Sequence, residues 1–229
     1  LYLDLLGVPL AKQILLDSNK TFGENLKIAI LDDGIDLNHP DLEVDETLSN
    51  EYNNNNLDMT DTHGTAVAGI IGSKGNKYTE GIAPNVSLIS VNILGSSGVW
   101  SEPLKYRSDI VDIYNNSWAI STTPFSSTSL INNIIYGATN GRNGKGSIYV
   151  FASGNDHGEG DEANLLGHLN IDPTIVVGAA NPNSESKSYY SENGSNLLCC
   201  AFGGFDGYNS LQGLLTLSKS LVNNFYFFF

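Results

Sequence analysis

Three residues in this sequence have the types and the setting to share one piece of acyl-transfer chemistry. Asp32 follows the apolar run Leu26 to Leu31, His63 opens the small-residue stretch Gly64 to Gly72, and Asn155 follows the apolar run Ile148 to Ala152. A carboxylate can orient a histidine and support its positive charge, and a histidine so held can take a proton from a hydroxyl and return it to a leaving amine. An amide side chain can donate to the oxyanion that develops when that hydroxyl attacks a carbonyl. Each residue also has an ordinary use, since Asp32-Asp33-Gly34 and Gly154-Asn155 are turn sequences and a histidine often caps a helix. Their joint placement after or beside successive apolar runs is what favours chemistry.

The elements that must position them follow from the spacing of apolar residues. Runs at Leu26 to Leu31, Val86 to Leu94, Ile110 to Tyr114, Ile148 to Ala152 and Ile175 to Ala180 are short, rich in Val, Ile and Leu, and bounded by Gly, Asn and Asp. Such runs predict strands buried on both faces. Between them, Thr65 to Gly72, Glu102 to Ser108 and Ser129 to Thr139 have helical character. The alternation predicts an α/β fold of three layers, a mostly parallel central sheet with helices on both faces. Ligands of such sheets bind beyond the carboxyl ends of the strands, where Asp32 and Asn155 lie. Asn50 to Asn56 reads as a polar excursion in solvent, and Gly141 to Gly146 as a Gly-rich turn feeding a strand.

Composition excludes several partners. With 11 Lys+Arg against 25 Asp+Glu, the formal charge is -14, which repels phosphate backbones and anionic headgroups, so no nucleic acid is expected as a partner. No apolar stretch is long enough to span a membrane, and the start Leu1-Tyr2-Leu3-Asp4 has no signal-peptide pattern. The two cysteines, Cys199 and Cys200, are adjacent and would point to opposite faces of an extended strand, so no disulfide framework is expected.

Several motifs, in order, carry a family resemblance: Asp32-Asp33-Gly34, Asn38-His39-Pro40-Asp41-Leu42, His63-Gly64-Thr65 with Val67-Ala68-Gly69, Asn116-Ser117-Trp118, and Ala152-Ser153-Gly154-Asn155. From about Asn25 to Gly204 the sequence resembles the subtilisin family of serine endopeptidases. The doubled Asp32-Asp33 and the run Gly141 to Val150 resemble its kexin-like branch. The resemblance implies that Asp32 is the triad acid, His63 the base and Asn155 the oxyanion donor. It also implies that Asp33 faces the substrate, that Ser117, Trp118 and Ala119 with Gly154 line the strand and pocket where a peptide or protein substrate binds, and that the chain is secreted or works in the secretory pathway as a monomer. By the same resemblance a structural Ca²⁺ would be held by Asp41 and the loop around Asn76.

The match also has gaps. The family's nucleophile sits in a Gly-Thr-Ser segment that opens a helix, and no such segment follows Ala180; Ser195, Ser210, Ser218 and Ser220 all lack it. Residues 1–204 are therefore expected to form an incomplete peptidase domain and 205–229 a divergent tail, truncated before the serine. The chain alone is expected to be inactive, which leaves a silent peptide-binding module as the alternative. A metal hydrolase using His157 or His168 is disfavoured, because no two histidines share metal-ligand spacing on one element. Leu166 stands where the kexin-like branch has an aspartate, so selectivity for arginine is expected to be weak.

Overall fold

Strands and helices alternate as the apolar spacing predicts. The computed structural model describes residues 2–52, 63–94, 99–120, 124–181, 186–203, 214–218 and 227–228. Seven strands form one sheet: β1 (Lys27–Asp32), β2 (Asn50–Glu51), β3 (Ser87–Asn92), β4 (Ile113–Asn116), β5 (Ile148–Ala152), β6 (Thr174–Ala180) and β7 (Leu197–Phe202). Their spatial order is β2-β3-β1-β4-β5-β6-β7, and every pairing is parallel. From β1 the chain builds one flank through β2 and β3, then crosses to β4 and continues along the other. The sheet therefore has its topological switch point between β1 and β4, the place where α/β sheets hold ligands.

Both faces of the sheet are covered, which is why its strands read as near-continuous apolar runs rather than as alternation. On β1, Ile28 and Ile30 join Ile35, Ala68, Val86 and Leu88 on one side, while Ala29 and Leu31 join the larger cluster on the other. The first side is covered by α3 (His63–Gly72), the second by α4 (Thr128–Gly144) together with a 3₁₀ turn at Glu102–Lys105. The large cluster centres on Tyr114, Phe151, Leu104, Leu130 and Ile134, all essentially buried. Tyr114 and Tyr149 stack at 4.7 Å between ring centroids, and each hydroxyl donates to a backbone carbonyl, of Tyr106 and Leu104 respectively.

Helix α4 starts on Ser127, whose Oγ accepts from Leu130 N at 3.5 Å, and its helical dihedrals stop at Gly141. The Gly-rich turn expected at Gly141 to Gly146 is the irregular close of that helix and leads into β5. Helix Glu102 to Ser108 is realised only as one 3₁₀ turn, consistent with the proline at position 103. Two N-terminal helices, α1 (Tyr2–Leu5) and α2 (Val8–Asp17), and the strand β7 were not foreseen. Most of the expected Asn50 to Asn56 turn and all of Ser121 to Thr123 lie outside the described residues. Of the tail, Leu214–Leu215 (β8) pairs antiparallel with Phe227–Phe228 (β9), and Thr216 and Leu217 are buried against α3, where Thr216 donates to Ala66 O.

Phe151 sits at the centre of the larger cluster, 5.5 Å from Trp118 and 5.4 Å from His168 by ring centroids. Phe151→Ala is expected to cost about 3–5 kcal/mol in chemical denaturation. Ile135→Ala, on the exposed side of α4, should stay within about 0.5 kcal/mol. Equal losses for the two would show that the central layer is not where this structure puts it.

Candidate active site

The site is assembled at the carboxyl ends of β1, β4 and β5, beside the start of α3. Asp32 is the last residue of β1 and is fully buried. Nδ1–H of His63 donates to Asp32 Oδ1 at 2.7 Å, and the same oxygen accepts from Asp33 N at 2.8 Å. Asp32 Oδ2 is buried without a hydrogen-bond partner. With its Nδ1 committed to Asp32, the imidazole has only Nε2 to offer a reacting group.

Asp33 fixes the start of the helix that bears the histidine. Its Oδ2 accepts from His63 N at 3.1 Å and its Oδ1 from Gly64 N at 2.7 Å, two N–H groups that the helix itself leaves unpaired. The approach is close enough that a Cβ on Gly64 would lie 2.1 Å from Gly34 O, so no larger residue fits there. Each Asp33 oxygen accepts from the start of α3, so this residue positions the helix that bears His63. Burial, and then the charge of Asp32, raise its pKa, while the two backbone donors oppose that rise.

Opposing effects also act on His63. Burial pulls its pKa down, but the hydrogen bond and charge of Asp32, with a smaller pull from Asp33, outweigh burial and leave it raised. The side chain is 38% exposed, so the ring reaches the surface on one side while Asp32 holds it from beneath. His63 lines a groove of about 280 Å³ together with Asn116, Ser117, Ser153, Gly154 and Asn155, floored by Val67, Ile70, Val150, Ala152, Val177 and Ala179. The structure thus brings His63, Ser117, Gly154 and Asn155 to one cavity.

Asn155 is exposed at the groove's rim, just after Gly154, which has φ of +112°. A Cβ on Gly154 would meet Glu192 Oε1 at 2.0 Å, so both conformation and space demand glycine. Ser117 Oγ accepts from Asn115 Nδ2 at 3.0 Å, Ala119 is exposed, and Trp118 is buried against Trp100, Phe151 and His168. Trp118 is therefore part of the wall behind the cavity. Of the serines named as substitutes for the nucleophile, Ser195 is exposed in the turn before β7 and Ser218 is buried near His39; neither lines the groove. Ser210 and Ser220 lie outside the described residues.

An acidic cluster beneath the oxyanion loop was missed from sequence. Among the described residues, Asp156, Asp161 and Glu192 have carboxylate oxygens within 4.8 Å of one another. Glu192 is 2% exposed, its Oε2 has no hydrogen-bond partner, and its Oε1 takes only a long contact of 3.4 Å from Asp156 N. Burial, then the charge of Asp161, push its pKa up to about 7. The signal was faint, because Glu192 lies some thirty residues along the chain from the two aspartates. Three carboxylates with no histidine or cysteine suit a hard cation such as Ca²⁺ and not zinc.

The metal site expected at Asp41 and Asn76 has different surroundings. Asp41 is fully buried, and its Oδ2 accepts from the N–H groups of Lys77 and Tyr78 at 3.2 and 2.9 Å, while Asn76 is exposed in that loop. Asp41 Oδ1 is buried and has no hydrogen-bond partner among the described residues. The donor set for a cation is therefore richer at Asp156, Asp161 and Glu192.

The fold thus sets an Asp–His pair at the switch point of a parallel sheet and an asparagine on a loop lining the same groove. The family profile described as the Subtilase family matches residues 23–227, and the chain belongs to that family. It is 36% identical over 187 residues to a dibasic-processing endoprotease of Schizosaccharomyces pombe, across 75% of this chain and 26% of that protein. It is 34% identical over 194 residues to human proprotein convertase subtilisin/kexin type 6, across 76% of this chain and 20% of the relative. The chain thus spans about a quarter or less of the length of these two relatives. Among solved structures, a serine protease of Aeromonas sobria superposes with a TM-score of 0.68 at 26% identity, over 80% of this chain and 36% of that one. A protease of Pseudoalteromonas arctica, at 22% identity and a TM-score of 0.72 over 87% and 69% of the two chains, shares the fold.

Asp32→Asn should lower the pKa of His63, because burial is then opposed only by the smaller pull from Asp33. Imidazole titration by NMR would detect it, and an unchanged midpoint would remove Asp32 as the cause of the elevation. The sign for stability follows from the raised value. The pair's contribution is full below about pH 6.5, the ordinary histidine value, and is lost as pH rises through the elevated folded value.

Proposed function

We propose that this chain carries the acid, base and oxyanion donor of a serine endopeptidase site, and that the attacking hydroxyl is not supplied by these 229 residues. The observation that carries this reading is the buried Asp32 hydrogen-bonded at 2.7 Å to a His63 that shares one groove with Asn155. Given a serine hydroxyl at Nε2, His63 takes its proton as the oxygen attacks the peptide carbonyl. Asp32 stabilises the imidazolium without itself becoming protonated. The Asn155 amide donates to the tetrahedral oxyanion, and His63 then returns the proton to the leaving amine. Water repeats the sequence on the acyl-enzyme.

The substrate is a peptide that lies extended along Ser117 to Ala119, pairing its backbone with that edge. Leu166 is 2% exposed and lies in the apolar cluster with Trp118, so it brings no carboxylate to the pocket behind that strand. A guanidinium gains little there without a paired acid. The chain therefore selects less strongly for arginine than a dibasic-processing enzyme does.

A silent peptide-binding module is the second reading, favoured by the absence of Gly-Thr-Ser after Ala180. A serine-directed fluorophosphonate separates the two when applied to this chain and to a chimera in which residues after Gly203 are replaced by the corresponding part of the Schizosaccharomyces pombe relative. This chain should remain unlabelled and the chimera should label, with loss on His63→Ala. In the chimera, Asn155→Ala should cost about 10²–10³ in kcat, a magnitude carried over from subtilisin, itself of this family. A chimera that folds yet neither labels nor cleaves would favour the silent module, and labelling of this chain at an assigned serine would overturn the missing-hydroxyl reading.

Calcium is the cation we assign to Asp156, Asp161 and Glu192, where it would neutralise carboxylates that otherwise repel one another. Because Glu192 holds its proton up to about pH 7, binding must displace that proton, and affinity should fall as pH drops below this value. Added Ca²⁺ should raise the melting temperature at pH 8 more than at pH 6, and Glu192→Gln should abolish the difference. Equal shifts at both pH values, or a full shift in the variant, would place the cation elsewhere.

A further inference from the structure

Among the described residues, no strand covers the outer edge of the sheet at β7. β7 pairs with β6 on one side, and no further strand is hydrogen-bonded to it among the described residues. Sheet edges are ordinarily blunted by lysine, proline, inward charges or bulges. Residues 193–203 contain no Asp, Glu, Lys, Arg or Pro, in a chain that carries 25 Asp+Glu. The one protective feature is a register shift opposite Val176 and Val177, which leaves Leu198 without a partner on β6 and 69% exposed. Beyond it, Cys199 to Phe202 pair regularly with Val177 to Ala180.

Both cysteines lie on this edge, free and exposed. Alternation along the strand turns them to opposite faces, so they do not bond to each other. Cys200 leans inward, its Sγ 3.2 Å from where a Cβ on Gly178 would stand. Cys199 pairs with Val177 across β6 and is exposed.

We propose that β7 joins a second copy of this chain, edge to edge and antiparallel, and that a disulfide between the two Cys199 residues locks the pair. A two-fold axis perpendicular to the sheet sets one residue of the strand opposite itself. Directly opposed residues of an antiparallel pair have Cα atoms about 4.5 or 5.5 Å apart, inside the roughly 4.4–6.8 Å that a disulfide spans. A second copy fits better than a foreign peptide for two reasons. The stretch 193–203 carries no charge, so it sets no carboxylate against its own copy when two chains of charge -14 meet there, and the two-fold supplies a matching thiol at the matching position. The pairing is only a few residues long, so the covalent bond is what makes it persist. The departure is from the monomer expected of the sequence.

The oxidant is a small-molecule disulfide such as oxidised glutathione. The Cys199 thiolate of one copy attacks it and expels one glutathione thiolate; the partner's Cys199 thiolate then attacks the protein sulfur of the mixed disulfide and expels the second. Two protein thiols are oxidised and one glutathione disulfide is reduced to two thiols.

The test uses the whole chain, reduced and then exposed to oxidised glutathione, followed by non-reducing electrophoresis and native mass spectrometry. A covalent dimer that dithiothreitol dissolves is expected, retained in Cys200→Ala and lost in Cys199→Ala. Leu198→Lys, a change on an exposed side chain, should keep the circular dichroism and melting temperature yet lose most of the dimer, which a random thiol encounter would not. A glutathionylated monomer, a monomer lighter by two hydrogens, a dimer that survives Cys199→Ala, or a yield untouched by Leu198→Lys would each overturn the proposal.

Discussion

Everything at this site hangs on one buried carboxylate. Asp32 ends the central strand β1 with no solvent exposure, and its charge is met by the His63 ring and the Asp33 N–H on one oxygen. A carboxylate in that position is expensive unless paired, so the histidine must be brought to it and kept there. The rest of the local structure does that work. Asp33 clamps the first two N–H groups of α3, Gly64 lets the helix start lie against Gly34 O, and the small residues of α3 let it sit low over β1 and β3. Sheet packing, helix capping and the orientation of one imidazole are therefore a single constraint, and a larger residue at Gly64 would disturb all three.

The oxyanion side repeats the pattern with a different acid. Gly154 is pressed against Glu192, whose Oε1 also takes the Asp156 N–H at 3.4 Å, so the loop bearing Asn155 rests on a buried carboxyl group from the segment before β7. Ser191, one residue earlier, donates or accepts at Ser153 Oγ at 3.3 Å and accepts from Ala179 N at 2.9 Å. Residues remote in sequence thus buttress the loop from below, while the groove floor of Val150, Ala152, Val177 and Ala179 keeps the side facing His63 apolar. The base is held by an acid that has its partner. The loop bearing Asn155 is held by one whose hydrogen bond is longer, and both acids keep a second oxygen without a hydrogen-bond partner among the described residues.

How much of this could be read from the residues alone depends on the range of the interaction. The central strands were legible because burial on both faces leaves unbroken apolar runs, and Asp32, His63 and Asn155 were legible because each follows such a run or opens a helix. β7 was not, since Leu197-Leu198-Cys199-Cys200-Ala201-Phe202 is an edge strand whose exposure gives no periodic mark and whose register shift breaks alternation. The capping role of Asp33 was hidden because it depends on where α3 starts in space. The acidic cluster was hidden for the same reason, as Glu192 meets Asp156 and Asp161 only once β6 and β7 are paired. Asp41 shows the same limit of range: its motif reads as a metal ligand, while the two N–H groups that reach its Oδ2 come from a loop some 36 residues further on.

The two acid–base centres share a direction. His63 has its pKa raised by Asp32, and Glu192 has its pKa pushed up to about 7 by burial and by Asp161. Each group keeps its proton to a higher pH than the free side chain would, for opposite reasons: the hydrogen bond and charge of Asp32 favour the imidazolium of His63, whereas burial and a neighbouring carboxylate disfavour the charged form of Glu192. His63 and Asn155 line one groove, while the carboxyl groups behind these effects come from separate parts of the fold: Asp32 ends the central strand β1, and Glu192 lies in the segment before the edge strand β7.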